Sequence, residues 1–389
     1  MRITLSKLIP VEPALPAPAC RGSLSKAMLR VNAVSISGES GLPIQSITLL
    51  SFRTFGDYVL KAPFLFELFR LYPNAEITMI TNRKGGLVYP LVDSRLKLAV
   101  VDHGDTKLQV LGTLFSIPRA DLVFALDDSR TTLVLSLLVR GKRKTGWIQG
   151  VSLLYAEGGF FEWKSVRPWL SALVKSVYRP GRIRRPEDKH DADVELELLD
   201  LQGEGRPLAS YRSHYASPPA MRRDPPYIYC AAEAGWQARQ LTDQQWARII
   251  GDLLRVFPKH TIVVHGAAGA VKEFASEARV VAYGQGSVKE LFDKVSAAEL
   301  VIAPDSFALH LASFYGVAAI GYFGPAHPHR FQPTGAGSSS LFHQPECSPC
   351  LQSRGNSPCR KGLLQCSSLA AMKPAEFVAA AQAALLAGN

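Results

Sequence analysis

Residues 299–324 read ELVIAPDSFALHLASFYGVAAIGYFG. Two short apolar runs, ELVIAP (299–304) and VAAIGYFG (317–324), flank a segment, 306–315, with apolar residues at helical spacing. An uninterrupted apolar run of roughly five or six residues suits a strand covered on both faces. A helix between two such runs is the crossover that makes neighbouring strands parallel. Asp305 and Ser306 stand where the strand ends and the helix begins, so their side chains are placed to accept the first free N–H groups. The stretch therefore predicts one step of a parallel sheet covered by helices.

The same alternation extends upstream. YIYCAA (227–232), a helix over 242–257, TIVVHG (261–266), a helix over 270–278, VVAY (280–283) and a helix over 287–296 precede it. An earlier series runs through ITLLS (47–51), a helical pattern at 58–71, EITMIT (76–81), KLAVVD (97–102) and DLVFAL (121–126). Between 147 and 225 the pattern blurs, with Pro and charge dense in RPGRIRRPEDKHD and SPPAMRRDPP. The expected class is α/β: two Rossmann-like parallel-sheet domains joined near 205–225, with a cleft between the carboxyl ends of their strands. The expected boundaries are an extension over 1–45, a first domain over 46–215, a second over 216–375 and a C-terminal helix over 376–389.

Length and composition agree with this. At 389 residues and 42.4 kDa, with 47% hydrophobic and 20% charged residues, the chain can bury two cores and is not disordered. No apolar run reaches the roughly 18–20 residues of a membrane span, and the N-terminal segment lacks the apolar core of a secretory signal. A cytoplasmic protein is expected. The net charge of +11 is concentrated: residues 140–189 hold 12 Lys/Arg against 4 Asp/Glu, interleaved with Trp147, Tyr155, Phe160, Phe161, Trp163, Trp169 and Tyr178. This composition suits an anionic membrane surface, a phosphorylated acceptor or nucleic acid; the plainer alternative is a solvated basic face with core aromatics.

Four features carry chemistry. Asp57 follows the first strand in a turn containing Gly56, where a carboxylate serves either as a helix cap or as a general base in the cleft. Asp305, Ser306 and His310 mark a helix start able to hold an anion and sugar hydroxyls. Arg239, in AAEAGWQARQLTDQQW, places a cation above the second sheet, suited to a diphosphate. Cys347, Cys350, Cys359 and Cys366, spaced C-x2-C-x8-C-x6-C, lie in a loop rich in Pro, Ser and Gly. They supply four thiolates for a structural zinc or iron ion, with two disulfides or four free thiols as the alternatives. Cys230 falls in a strand and is expected in the core; Cys20 has no evident partner.

These segments together resemble glycosyltransferase family 9, the ADP-heptose heptosyltransferases. S-F-R-T-F-G-D-Y-V-L-K-A-P (51–63) with Y-P-N-A-E-I (72–77) is similar to the family's first motif. D-S-F-A-L-H-L-A-S-F-Y-G-V-A-A-I-G-Y-F-G-P (305–325) is similar to its donor-site segment. D-L-V-F-A-L-D-D-S-R (121–130), K-R-K-T-G-W (142–147) and K-H-D-A-D-V-E-L-E-L-L-D (189–200) match in spacing and order. The resemblance covers about 46–375. It implies the GT-B arrangement of two domains facing across a cleft, and inverting transfer of a heptose from ADP-heptose without a catalytic metal. Asp57 then matches the general base; Arg239, Asp305, Ser306, His310 and Gly324 match the donor site.

The acceptor it implies is anionic, a lipopolysaccharide-core-type or other lipid-linked saccharide, with contact to the inner-membrane surface and no nucleic acid. Arg53, Arg130, Lys142, Arg143 and Lys144 are the candidate anion contacts. The sequence also departs from the family. Phe307 stands at a usual glycine, Arg239 at a usual lysine, and Leu241 at a usual tryptophan. HGAAGAV lacks the acidic residue common after the strand at 261–266, with none before Glu273. A different nucleotide sugar, a family member that binds without turnover, and a zinc-containing nucleic-acid-binding protein are the alternative readings.

Overall fold

The computed structural model describes residues 43–127, 129–146, 189–200, 224–284, 286–347, 359 and 361–387. The expected extension over 1–45, the basic aromatic stretch from Trp147 to Tyr178 and the expected junction near 205–225 lie wholly or largely outside them. Residues Ile44–Asn389 form one compact unit containing two sheets.

The first half runs β1 (Ser46–Ser51), α1 (Phe55–Leu60), α2 (Ala62–Leu71), β2 (Glu76–Thr81), α3 (Arg83–Val92), β3 (Lys97–Val100), α4 (Lys107–Ser116), β4 (Ala120–Ala125), α5 (Arg130–Leu138), β5 (Gly141–Gly146) and α6 (Asp191–Asp200). Its strands pair in the order β3-β2-β1-β4-β5, all parallel. The second half runs β6 (Tyr227–Ala231), a 3-10 turn (Gln237–Arg239), α7 (Asp243–Val256), β7 (Thr261–His265), α8 (Ala268–Lys272), β8 (Val280–Tyr283), α9 (Val288–Ser296), β9 (Leu300–Pro304), α10 (Phe307–Tyr315), β10 (Ala318–Tyr322), α11 (Pro328–Phe331), β11 (Ser339–Leu341), α12 (Ser367–Ala371) and α13 (Pro374–Ala387). Its sheet order is β11-β10-β9-β6-β7-β8, again all parallel.

The apolar runs become strands because both faces are covered; Leu300, Val301, Ile302 and Ala303 are fully buried. Helix α7 shows how the cover is built. Thr242 and Gln245 close a capping box, and Trp246, Ile249, Ile250 and Leu253 recur on the buried side. Truncating one of these, such as Leu253→Ala, costs about 2–5 kcal/mol.

In each sheet the strand order reverses once, between β1 and β4 in the first and between β6 and β9 in the second. At such a reversal the loops leave in opposite directions and open a crevice at the carboxyl edge. Asp57 follows β1 and Asp127 follows β4; Arg239 follows β6 and Asp305 follows β9. The two halves meet at these edges. Phe55 stacks on Phe307 with ring centroids 5.4 Å apart, and Phe66 on Phe314 at 6.2 Å. Helix α6 spans the two halves: Arg330 grips the Asp191 carboxylate with contacts of 3.0–3.3 Å, and the His190 ring lies 3.2 Å from the Gln332 carbonyl.

Candidate functional site

Asp57 is the third residue of α1, and its position follows from the cap. Thr54 donates to its Oδ2 through the backbone N–H at 3.2 Å and the hydroxyl at 2.7 Å, fixing the half-buried carboxylate at the helix start. Capping and presentation to the cleft are thus the same geometry. Burial pushes this carboxyl up, but Arg53, Lys61 and the two Thr54 bonds outweigh it and bring it down to about 2. The preceding residue must be glycine. A Cβ on Gly56 would meet His310 Cδ2 at 2.8 Å and the Phe307 Cα at 3.7 Å. The backbone beside Asp57 therefore touches the start of α10 directly.

On the other side, Asp305 is 6% exposed and faces a guanidinium and an imidazole. Arg239 Nη1 lies 3.1 Å from its Oδ2 and donates to its backbone carbonyl at 3.1 Å; His310 Nε2 lies 3.5 Å from its Oδ1. Burial raises the Asp305 carboxyl, Arg239 and His310 lower it, and the Asp57 charge opposes them, leaving it below the ordinary value. Two buried polar atoms here, Arg239 Nε and Ser306 Oγ, lack a hydrogen-bond partner among the described residues, and Asp305 Oδ2 has the Arg239 ion pair but no hydrogen bond among them. Buried polar atoms are rarely left so, and a converging set at a helix start is what an anionic, hydroxylated ligand would satisfy. A narrow crevice lined by Arg239, Asp305, Tyr322, Gly324, Pro325 and Ala326 continues from it.

The departures noted in the sequence have structural counterparts. Phe307 turns its ring onto Phe55 and against Phe292, at 5.9 Å, filling the seam between the halves. Leu241 is buried in the core under α7. The carboxylate missing after β7 has a neighbour that sequence reasoning overlooked. Gly266, at φ +85°, leaves room for Glu233, whose Cγ would lie 2.4 Å from a Cβ there. Glu233 directly follows the buried strand end at Ala231–Ala232, a carboxyl-edge position that was the available signal. Beside it the His265 ring, 3.0 Å from the Tyr229 hydroxyl, is lowered by burial with Glu233 opposing.

The candidate anion contacts are dispersed. Arg53 Nε lies 3.8 Å from Asp127 Oδ1, in the turn that leads into the helix carrying Asp57. Lys142 pairs with Asp121 at 2.6 Å, and Lys144 donates to the Ser136 and Leu137 carbonyls at the end of α5. Arg143 lies on β5 between them, and Arg130 opens α5, its side chain outside the described residues. Of the cysteines, Cys347 and Cys359 are half-buried, and Cys366 is buried against Gly324, whose Cβ would meet its Sγ at 3.2 Å. Cys350 and Cys20 lie outside the described residues. Among the described residues no group of three or more His, Cys, Asp or Glu is arranged to hold a metal ion. Cys230 sits in β6 as expected, its thiol raised by burial.

Residues 193–359 match the family model for glycosyltransferase family 9 (heptosyltransferase). No curated protein matches the chain significantly. Among solved structures, the family 9 glycosyl transferase of Veillonella parvula superposes with a TM-score of 0.64 at 16% identity, covering 88% of this chain and 97% of that one. The ADP-heptose lps heptosyltransferase II of E. coli gives 0.61 at 15%, covering 88% and 99%. The E. coli heptosyltransferase WaaC with ADP gives 0.60 at 14%, covering 87% and 100%. At these identities the structural likeness speaks for the fold: two parallel-sheet domains of the GT-B type.

Proposed function

We propose that this chain, whose residues 193–359 match the family 9 model, transfers a heptose from ADP-heptose to an anionic saccharide acceptor with inversion. The observation that carries this reading is the contact of the Gly56–Asp57 turn with the start of α10, which sets a carboxylate opposite a charged, unsatisfied helix start. Asp57 takes the proton of the acceptor hydroxyl as that oxygen bonds to the anomeric carbon. The bond from that carbon to the β-phosphate oxygen breaks, and ADP leaves with the electron pair. Attack opposite the leaving group inverts the anomeric centre.

Arg239 and the N–H groups of α10 neutralise the departing diphosphate, so the step needs no catalytic metal. Asp305 and Ser306 take sugar hydroxyls and phosphate oxygens, His310 holds Asp305 in place, and Gly324 lines the diphosphate crevice. A carboxyl near 2 is a weak base. A bound diphosphate facing Asp57 adds negative charge and raises it towards a working value. Glu233 takes the ribose hydroxyls in place of the absent acid after β7. The neighbours WaaC with ADP and ADP-heptose lps heptosyltransferase II support an ADP-linked donor.

The acceptor side is the first sheet, with Arg53 nearest the base and the basic aromatic stretch beyond residue 146 meeting a phosphorylated, lipid-linked saccharide at the cytoplasmic face of a membrane. Among the described residues no helix is long and apolar enough to cross a membrane. Cys347, Cys350, Cys359 and Cys366 are the ligands this reading assigns to a structural zinc or iron ion, although the three described thiols are not grouped as a metal site. The division at about 215 separates acceptor and donor domains. A panel of nucleotide sugars, scored by thermal shift and then by turnover on lipid-linked acceptors, tests the reading. ADP-heptose should stabilise the protein most and be consumed. Preference for a uridine or guanosine donor would contradict it.

A further inference from the structure

We infer that Lys61 is a positioning residue for the transfer step, holding the segment that carries Asp57 against a buried carboxylate pair, Asp127 and Glu195. The inference rests on reading Asp57 as the base. Lys61 directly follows α1 as its cap and is 2% exposed, one helical turn beyond Asp57. Its Nζ lies 3.1 Å from Asp127 Oδ1 and 3.3 Å from Glu195 Oε1; both acids are 1% exposed.

Asp127 also gathers the other end of the same segment. It accepts from the Phe52 N–H, from the Ser51 hydroxyl at 3.4 Å and from the Thr132 hydroxyl at 3.2 Å, and Arg53 lies 3.8 Å away. The chain from Ser51 to Lys61 is thus tied at both ends to one carboxylate, with Asp57 between the ties. Through Glu195 the tie continues into α6, whose first turn is held to the second half by Arg330 and Gln332. A buried lysine between two acids is a poor device for stability, since apolar residues of similar volume fill such a site at least as well. Its use is in placing charge.

Among the described residues, the groups facing Asp57 include Arg53 and Lys61 on its own segment and Asp305 and His310 from the facing half, while Lys84 lies over the neighbouring Phe55 ring at 5.7 Å. Among the described residues, those facing Lys61 include Asp57, Asp127, Glu195 and the buried Tyr89 phenol beside the last two. Lys61 is one of the two cations that keep Asp57 ionised.

The experiment compares Lys61→Met and Glu195→Gln with the wild type and Asp57→Asn in full-length protein, measuring kcat, donor KM and the pH profile of kcat/KM. Lys61→Met should lower kcat about tenfold or more, with donor KM within about threefold. Its kcat/KM should acquire an acid limb, moving up towards the ordinary carboxylate value of about 4. Glu195→Gln should lower kcat several-fold at unchanged donor KM. A folded Lys61→Met with wild-type kcat and pH profile overturns the inference. So does loss of kcat and donor affinity together with no new acid limb, which marks a merely structural role. If Lys61→Met does not fold, Glu195→Gln decides, and wild-type kcat there overturns the inference. An active Asp57→Asn instead removes the base reading itself; an inactive Asp57→Asn beside a normal Lys61→Met removes only the inference about Lys61.

Discussion

Replacing Arg239 by alanine separates the fold of the donor site from its chemistry. The guanidinium is about one quarter exposed (24%) and supplies both the 3.1 Å contact to Asp305 Oδ2 and the 3.1 Å hydrogen bond to the Asp305 carbonyl. Among the described residues, the buried carboxylate then keeps only His310, at 3.5 Å. Leaving a buried charge without its partner costs about 3–5 kcal/mol, which solvent around the exposed quarter reduces to about 2. For a domain of this size each kcal/mol moves Tm by about 2–4 °C, so Arg239→Ala should melt roughly 4–8 °C lower. Losing a charge-assisted contact to a diphosphate costs about 1.5–3 kcal/mol, or roughly 10–100-fold in ADP affinity. Adding Asp305→Asn removes the stranded charge. The double variant should regain most of the lost Tm while ADP affinity stays weak. Calorimetric melting and ADP titration read the two effects separately. An Arg239→Ala protein that melts low yet binds ADP within twofold of wild type would show the arginine to be structural and refute the diphosphate role.

Two further outcomes are expected. Glu233→Gln should weaken ADP about tenfold and erase discrimination against 2′-deoxy-ADP; unchanged affinity would take the carboxylate away from the ribose. Anaerobically purified protein should carry about one zinc or iron per chain, and Cys350→Ser should release it and lower Tm, with chemistry intact after chelation. A metal-free protein of equal stability would remove the clip.

Much of the fold was legible because parallel strands buried on both faces must read as apolar runs. ITLLS, EITMIT, DLVFAL, YIYCAA and ELVIAP all became strands at those places. Strand β5 was not legible. GKRKTG is polar, and it pairs only at the sheet edge, where Lys142 and Lys144 spend their charges on Asp121 and on the end of α5. The expected helix over 270–278 shortens to Ala268–Lys272, and the C-terminal helix begins earlier, at Pro374. At the candidate site, Asp57, Arg239, Asp305, Ser306 and His310 could be named from segments that resemble family 9 and that follow strands at carboxyl edges. Glu233 also follows a strand at a carboxyl edge and was readable by the same rule; Lys61, Asp127 and Glu195 escaped for a different reason. Their meaning lies in a shared point of space, and separations such as that from Lys61 to Glu195 leave no local pattern to read.

The most direct measurement is transfer by Asp57→Asn with ADP-heptose and a lipid-linked acceptor, alongside ADP titration of the same protein. The substitution keeps shape and the Thr54 contact while removing the basic oxygen. General-base catalysis is worth about 100–10,000-fold, so turnover should fall by that factor with ADP affinity within a few-fold of wild type. Turnover equal to wild type would contradict the carboxylate's part in the reaction, and with it the functional reading of the cleft.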